Sequence, residues 1–136
     1  MAQKRMLDKK ISISEQVSNL PLEAQIIFTW SIPHADDLGL LPFSTKTLKA
    51  MITPMMNISQ ETFDFQIEKI VESGLWEIFE DTHEQKLILD KYYRIAKFKD
   101  HQTLKKDRKP NTYLKHIINW DQVQALGFQL ETNGNP

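Results

Sequence analysis

The sequence predicts a mainly α domain with a small β-hairpin, and two patterns carry that expectation. Apolar residues recur at helical spacing in stretches that end at Gly74, and just beyond it two short aromatic or branched runs, Trp76 to Glu80 and Leu87 to Leu89, flank the polar DTHEQ. A third pattern, charge, bears on function. Residues 11–90 hold thirteen Asp and Glu against four Lys, a net of −9, whereas residues 91–116 hold nine Lys and Arg against two Asp, a net of +7.

The elements follow in order. Ser12 and Glu15 have capping-box spacing, so a short helix is expected to begin near Ser14 and stop before Leu20. Pro21 suits a first helical turn, where its missing N–H costs nothing, and Glu23 in the same turn complements the helix dipole. The run Leu22 to Ile32 is apolar almost all round and reads as the central buried helix, with Trp30 in the core. Pro33 and the stretch HADDLG end it, and Leu38 to Pro42 reads as a short extended piece. A helix over 45–52 takes Ser44 as its cap and turns Leu48, Met51 and Ile52 inward, and Pro54 forbids its continuation. The next helix, 59–73, is capped by Asn57 or Ser59, repeats Phe63, Ile67, Ile70 and Val71 at helical period, and stops at Gly74. Trp76 opens the hairpin as a second core tryptophan, while Tyr92 to Phe98 fits either an extension of the second strand or a new helix. Helix, short strand, helix, helix, hairpin is the order of a winged helix-turn-helix, with 45–52 and 59–73 as the helix pair and 81–86 as the wing.

Length and composition set the frame. A chain of 136 residues with 40% hydrophobic and 26% charged residues has room for one core, placed at residues 1–100, followed by a basic extension over 101–131 and a disordered tail over 132–136. No apolar run approaches the ~18 residues that span a bilayer, and the charged start leads into no secretory signal, so no membrane association is expected. Cysteine is absent, which removes disulfides and thiolate metal sites and fits a cytoplasmic location.

The basic segment mixes its cations with Tyr92, Tyr93, Phe98 and Tyr113, a combination that attracts a polyanion. Lys105, Lys106, Arg108 and Lys109 are the first candidates for DNA phosphates, duplex or single-stranded, followed by Lys97, Lys99 and Arg94. The aromatics read better as core or hairpin packing than as stacking platforms. The helix that would enter a groove is poor in cations: Glu61, Asp64, Glu68 and Glu72 form an outward acidic stripe, and Gln60 is one of the few side chains there able to read a base edge. That stripe fits a face for a partner protein, a host replication protein or a second copy of the chain, or a solvated surface. His34, Asp36 and Asp37 resemble a metal set only in passing, since the other histidines lie at 83, 101 and 116, and the two carboxylates before Gly39 read as a structural turn. No phosphate-cradling glycine loop, cysteine nucleophile or GxSxG motif occurs, so neither enzymatic activity nor a cofactor is expected.

SEQVSNLPLEAQIIFTW, ADDLGLLP, IEKIVESGLWEIFE and AKFKDHQTLKKDRKP, with the Ala35-Asp36-Asp37-x-Gly39 turn, Gly74-Leu75 and His101-Gln102, resemble the winged-helix N-terminal domain of phage replisome organisers and related replication proteins, which are similar to DnaD-type primosomal initiators. The resemblance covers roughly residues 3–115. It implies a protein of a phage or prophage, working in the bacterial host cytoplasm, that binds origin DNA and recruits host helicase-loading machinery. A phage transcriptional regulator of the same fold, or a protein-interaction module docking a host factor through its acidic helix, are the alternatives. Longer members of that family continue into a further helical domain, whereas this sequence stops at Pro136.

Overall fold

The computed structural model describes residues 4–81, 90–102 and 108–125. Residues 82–86 of the expected wing, the run Leu87 to Leu89, Lys105, Lys106, the side chain of Lys99 and the tail 132–136 lie outside the described residues, whereas Asp81, placed at the start of the wing, ends a strand. Helices α1 (Glu15–Ser18), α2 (Leu22–Ser31), α3 (Thr45–Ile52), α4 (Gln60–Glu72) and α5 (Trp120–Ala125) surround a three-stranded antiparallel sheet of β1 (Leu40–Pro42), β2 (Trp76–Asp81) and β3 (Asp90–Ile95). Its strand order is β1-β3-β2.

Hydroxyl caps fix where α1, α3 and α4 begin. Ser14 Oγ accepts the Val17 N–H, Ser44 Oγ the Thr47 N–H and Ser59 Oγ the Thr62 N–H, each satisfying a first-turn donor that has no partner inside its helix. The expected capping box on Ser12 is replaced: Lys9–Ile13 is a 3-10 turn and Ser14 alone caps α1. Pro21 stands one position before α2 rather than inside it, and Pro33 turns the exit of α2 into a 3-10 turn over Ile32–His34.

The sheet separates two cores by its alternation of sides. On one face Leu41, Tyr93, Ile95 and Trp76 meet the inner sides of α2, α3 and α4, through Ala24, Ile27 and Phe28, Leu48 and Ile52, and Phe63, Ile67 and Ile70. On the other, Leu40 joins Leu38, Leu114, Ile117 and Val123, with Phe79, Tyr92, Tyr113 and Trp120 packed around them. Tyr113, Leu114, Ile117, Trp120 and Val123 thus cover the second face of the sheet. Within the stretch Tyr92 to Phe98, Tyr92 to Ile95 belongs to strand β3, whereas Phe98 opens a 3-10 turn over Phe98–His101, so neither a strand nor a helix runs its whole length.

The two tryptophans differ. Trp76 is 1% exposed and its ring lies 5.2 Å from that of Tyr93, as expected of a core residue. Trp30 is 48% exposed. The apolar circumference of α2 suggested burial on every side, but α2 is covered only where it meets the rest of the main core, so Leu22 and Trp30 face outward. No described helix is long and apolar enough to cross a membrane.

Candidate nucleic-acid interface

The basic stretch is anchored at both of its flanks, and the acidic turn after α2 supplies one anchor. Asp36 is fully buried, and its two oxygens take four hydrogen bonds. Oδ1 accepts the N–H groups of Leu38 and Leu40, both at 2.8 Å, and Oδ2 accepts the Thr112 hydroxyl at 2.6 Å and the Tyr113 N–H at 2.9 Å. Burial pushes its carboxyl above the ordinary carboxylate range, while the Thr112 hydroxyl and the backbone N–H groups pull it back in part. Asp37 works beside it. Its Oδ1 lies 3.0 Å from the Arg5 guanidinium, its Oδ2 accepts the Asn111 N–H at 2.8 Å, and its own N–H donates to the Asn111 carbonyl at 3.0 Å. Gly39 completes the turn at φ +82°, and a Cβ there would stand 2.7 Å from the Cβ of Phe98, so no other residue fits without displacing that ring.

The second anchor lies at the other end of the stretch. His101 Nδ1 is 2.9 Å from Asp8 Oδ2, and Gln102 bonds Met6 in both directions, accepting its N–H at 2.9 Å and donating to its carbonyl at 2.7 Å. The N–H of Lys10 first, and then His101, hold the Asp8 carboxyl below its usual range. Arg5 continues this N-terminal strap: it donates to the Ala35 carbonyl at 3.0 Å and its guanidinium sits 5.3 Å from the centre of the Phe98 ring.

The cations named from sequence take up different settings. Arg108 and Lys109 are exposed next to the Asp36–Asp37 anchor, and the Arg108 carbonyl accepts the Trp120 indole N–H at 2.8 Å. Lys97 is exposed at the turn after β3. Arg94 is half-buried on the central strand opposite Leu40 and Glu77, where burial lowers its pKa and Glu77 partly restores it. On α4, Glu61, Glu68 and Glu72 are exposed, while Asp64 is half-buried and accepts a 2.8 Å bond from the Gln60 amide. Lys69 lies 3.6 Å from Glu72, so the stripe carries one compensating charge. Tyr93 and Phe98 are core residues, and Tyr92 stacks on Tyr113 at 5.8 Å. Among the described residues no group of three or more His, Asp or Glu could hold a metal ion.

Sequence reasoning placed Asp36 and Asp37 in a turn but missed their long-range partners, and it overlooked Arg5 and Asp8 altogether. Partners 74 to 77 positions apart leave no periodic signal. The one available hint was two adjacent carboxylates in the midst of apolar residues. Comparison with family models, with curated proteins and with solved structures finds no match to this chain.

Proposed function

We propose that the chain is a non-enzymatic DNA-binding domain of winged helix-turn-helix type that acts in phage or prophage replication initiation, binding origin DNA and recruiting host helicase-loading machinery. One observation carries the DNA reading. The stretch 103–109, with Lys105, Lys106, Arg108 and Lys109 against Asp107, runs between two anchored points, His101–Gln102 on one side and Asn111–Tyr113 on the other. Holding both flanks in place before DNA arrives lowers the ordering cost that a free basic tail meets on binding. The element order α2, β1, α3, α4, β2, β3 supports the winged-helix reading, with α3 and α4 as the helix pair. The replication role rests on the family resemblance.

If four phosphates are neutralised, the log-log dependence of affinity on salt should have a slope of about −3.6, and a fourfold rise in salt should weaken binding roughly a hundredfold. Gel-shift titration of random duplex, single-stranded and origin DNA at two salt concentrations measures this. Replacing Lys105, Lys106, Arg108 and Lys109 with Ala should flatten the slope and lower the affinity; an unchanged slope and affinity would overturn the assignment. A second reading has its own support in the exposed Glu61, Glu68 and Glu72 of α4. Carboxylates repel phosphate, so α4 as a protein-docking face fits its charge better than α4 in the major groove.

A further inference from the structure

A groove of about 450 Å³ opens between the N-terminal strap, α1 and the turn after β3. Val17, Phe28 and Ile95, all part of the main core, lie at its base. Along its sides Met6 and Leu7 are each 55% exposed and Ile13 is 80% exposed. Its walls are tied in place: the Gln102–Met6 and His101–Asp8 contacts fix one, and the Gln16 amide, donating to the Ser73 carbonyl at 2.8 Å, fixes α1 to the end of α4. A volume of this order falls in the range of sites that bury several apolar groups.

The charge around the groove indicates what it can hold. Lys10 and Lys97 line it and are exposed, while the lining acid, Asp8, is already engaged by the Lys10 N–H and His101. The rim therefore carries surplus positive charge. Lys97 adds an independent observation. At φ 56° and ψ 28° it occupies the left-handed region, the only non-glycine among the described residues with positive φ. A glycine would take that conformation at lower cost, and strained backbone of this kind concentrates where a side chain has a task.

We propose that this groove docks a short amphipathic peptide segment of another protein, its apolar side chains seated against Met6, Leu7 and Ile13 and its flanking Asp or Glu side chains facing Lys10 and Lys97. An extended or helical peptide can enter a walled groove and satisfy floor and rim together. A flat bilayer surface cannot reach the floor. The site is separate from α4, whose carboxylates would select a basic partner, and it does not depend on the DNA reading.

Selection of a random peptide library on the full chain tests this. The enriched peptides should combine Leu, Ile or Phe with Asp or Glu, and a labelled member should bind in an anisotropy titration. Lys97→Gly, which suits the left-handed backbone and should leave thermal unfolding unchanged or improved, should weaken that peptide about two- to fivefold. Ile13→Asp, at a side chain exposed in the free protein, should weaken it roughly tenfold or more. Failure to enrich any peptide, enrichment of basic flanks, or peptides that bind Ile13→Asp as tightly as the parent would each overturn the proposal. So would self-association of the parent chain that Ile13→Asp abolishes, which would give the groove to a second copy.

Discussion

Asp36 and Asp37 on the turn after α2, and Glu61, Glu68 and Glu72 on α4, are the same chemistry in opposite settings. The turn pair is 0% and 4% exposed, and each of its oxygens receives a donor from another part of the chain or from an N–H of the turn itself. The helix carboxylates face solvent, with Lys69 beside Glu72 as one ion-pair contact. A buried carboxylate is tolerable only when its lone pairs are filled, so the turn pair must serve the fold. An exposed carboxylate costs the fold almost nothing and remains free to act on a partner. The difference teaches that burial and donor count, not residue type, separate the acids that organise this molecule from those that could recognise something.

The largest effect is expected from applying the same distinction to the two tryptophans. Trp76→Ala should cost about 3 to 5 kcal/mol, a large part of a small domain's stability, because it empties a packed site. Trp30→Ala, half-exposed on α2, should cost about 1 kcal/mol or less. Chemical denaturation of both variants checks this, and equal losses would mean that exposure is a poor guide here.

Next in size, Asp36→Asn keeps the shape of the side chain but sets an amide donor against donors already in place. It should cost roughly 2 to 4 kcal/mol, since at least one buried donor is left unpaired. Glu68→Gln on α4 should stay within about 0.5 kcal/mol. A similar denaturation midpoint for these two variants would erase the contrast between turn and helix.

The smallest effect on stability belongs to the acidic stripe. Replacing Glu61, Glu68 and Glu72 with Lys should shift stability by about 1 kcal/mol or less in total while strengthening nonspecific DNA binding. If α4 is a docking face, the same variant should associate more slowly with a basic partner, because exposed charges of this kind act chiefly on association rate. Surface plasmon resonance reads both, and unchanged partner kinetics would leave the stripe a solvated face.

Much of this was legible in the sequence because the governing forces are local. Serines 44 and 59 before apolar periodicity marked α3 and α4, Gly74 marked the stop of α4, and Trp76 opened a strand. Where a force acts across the chain, the sequence was silent or misleading. An apolar circumference on α2 could not show which side would be left uncovered, and so Trp30 was misplaced. The aspartates at 36 and 37 could be assigned to a turn from their neighbours, but nothing near them pointed to Thr112, Tyr113 and Asn111, or to Arg5 at the other end of the chain. The candidate interface was therefore readable as charge but not as a stretch with anchored ends.

Asp37→Ala tests whether anchoring of its flanks governs how the basic stretch binds DNA. The change removes the acceptor for the Asn111 N–H and the partner of Arg5 while leaving every cation of the basic stretch in the chain. With the variant confirmed as folded by its thermal unfolding, duplex titration across salt should give the parent slope, since the phosphate count is unchanged, but an affinity roughly tenfold weaker, because ordering must now be supplied on binding. The Asp36 contacts to Thr112 and Tyr113 and the His101–Gln102 anchor remain in this variant, so parent affinity with parent slope would show that the basic stretch binds as well without the Asp37 part of its anchoring, and would contradict a role for that carboxylate in DNA binding.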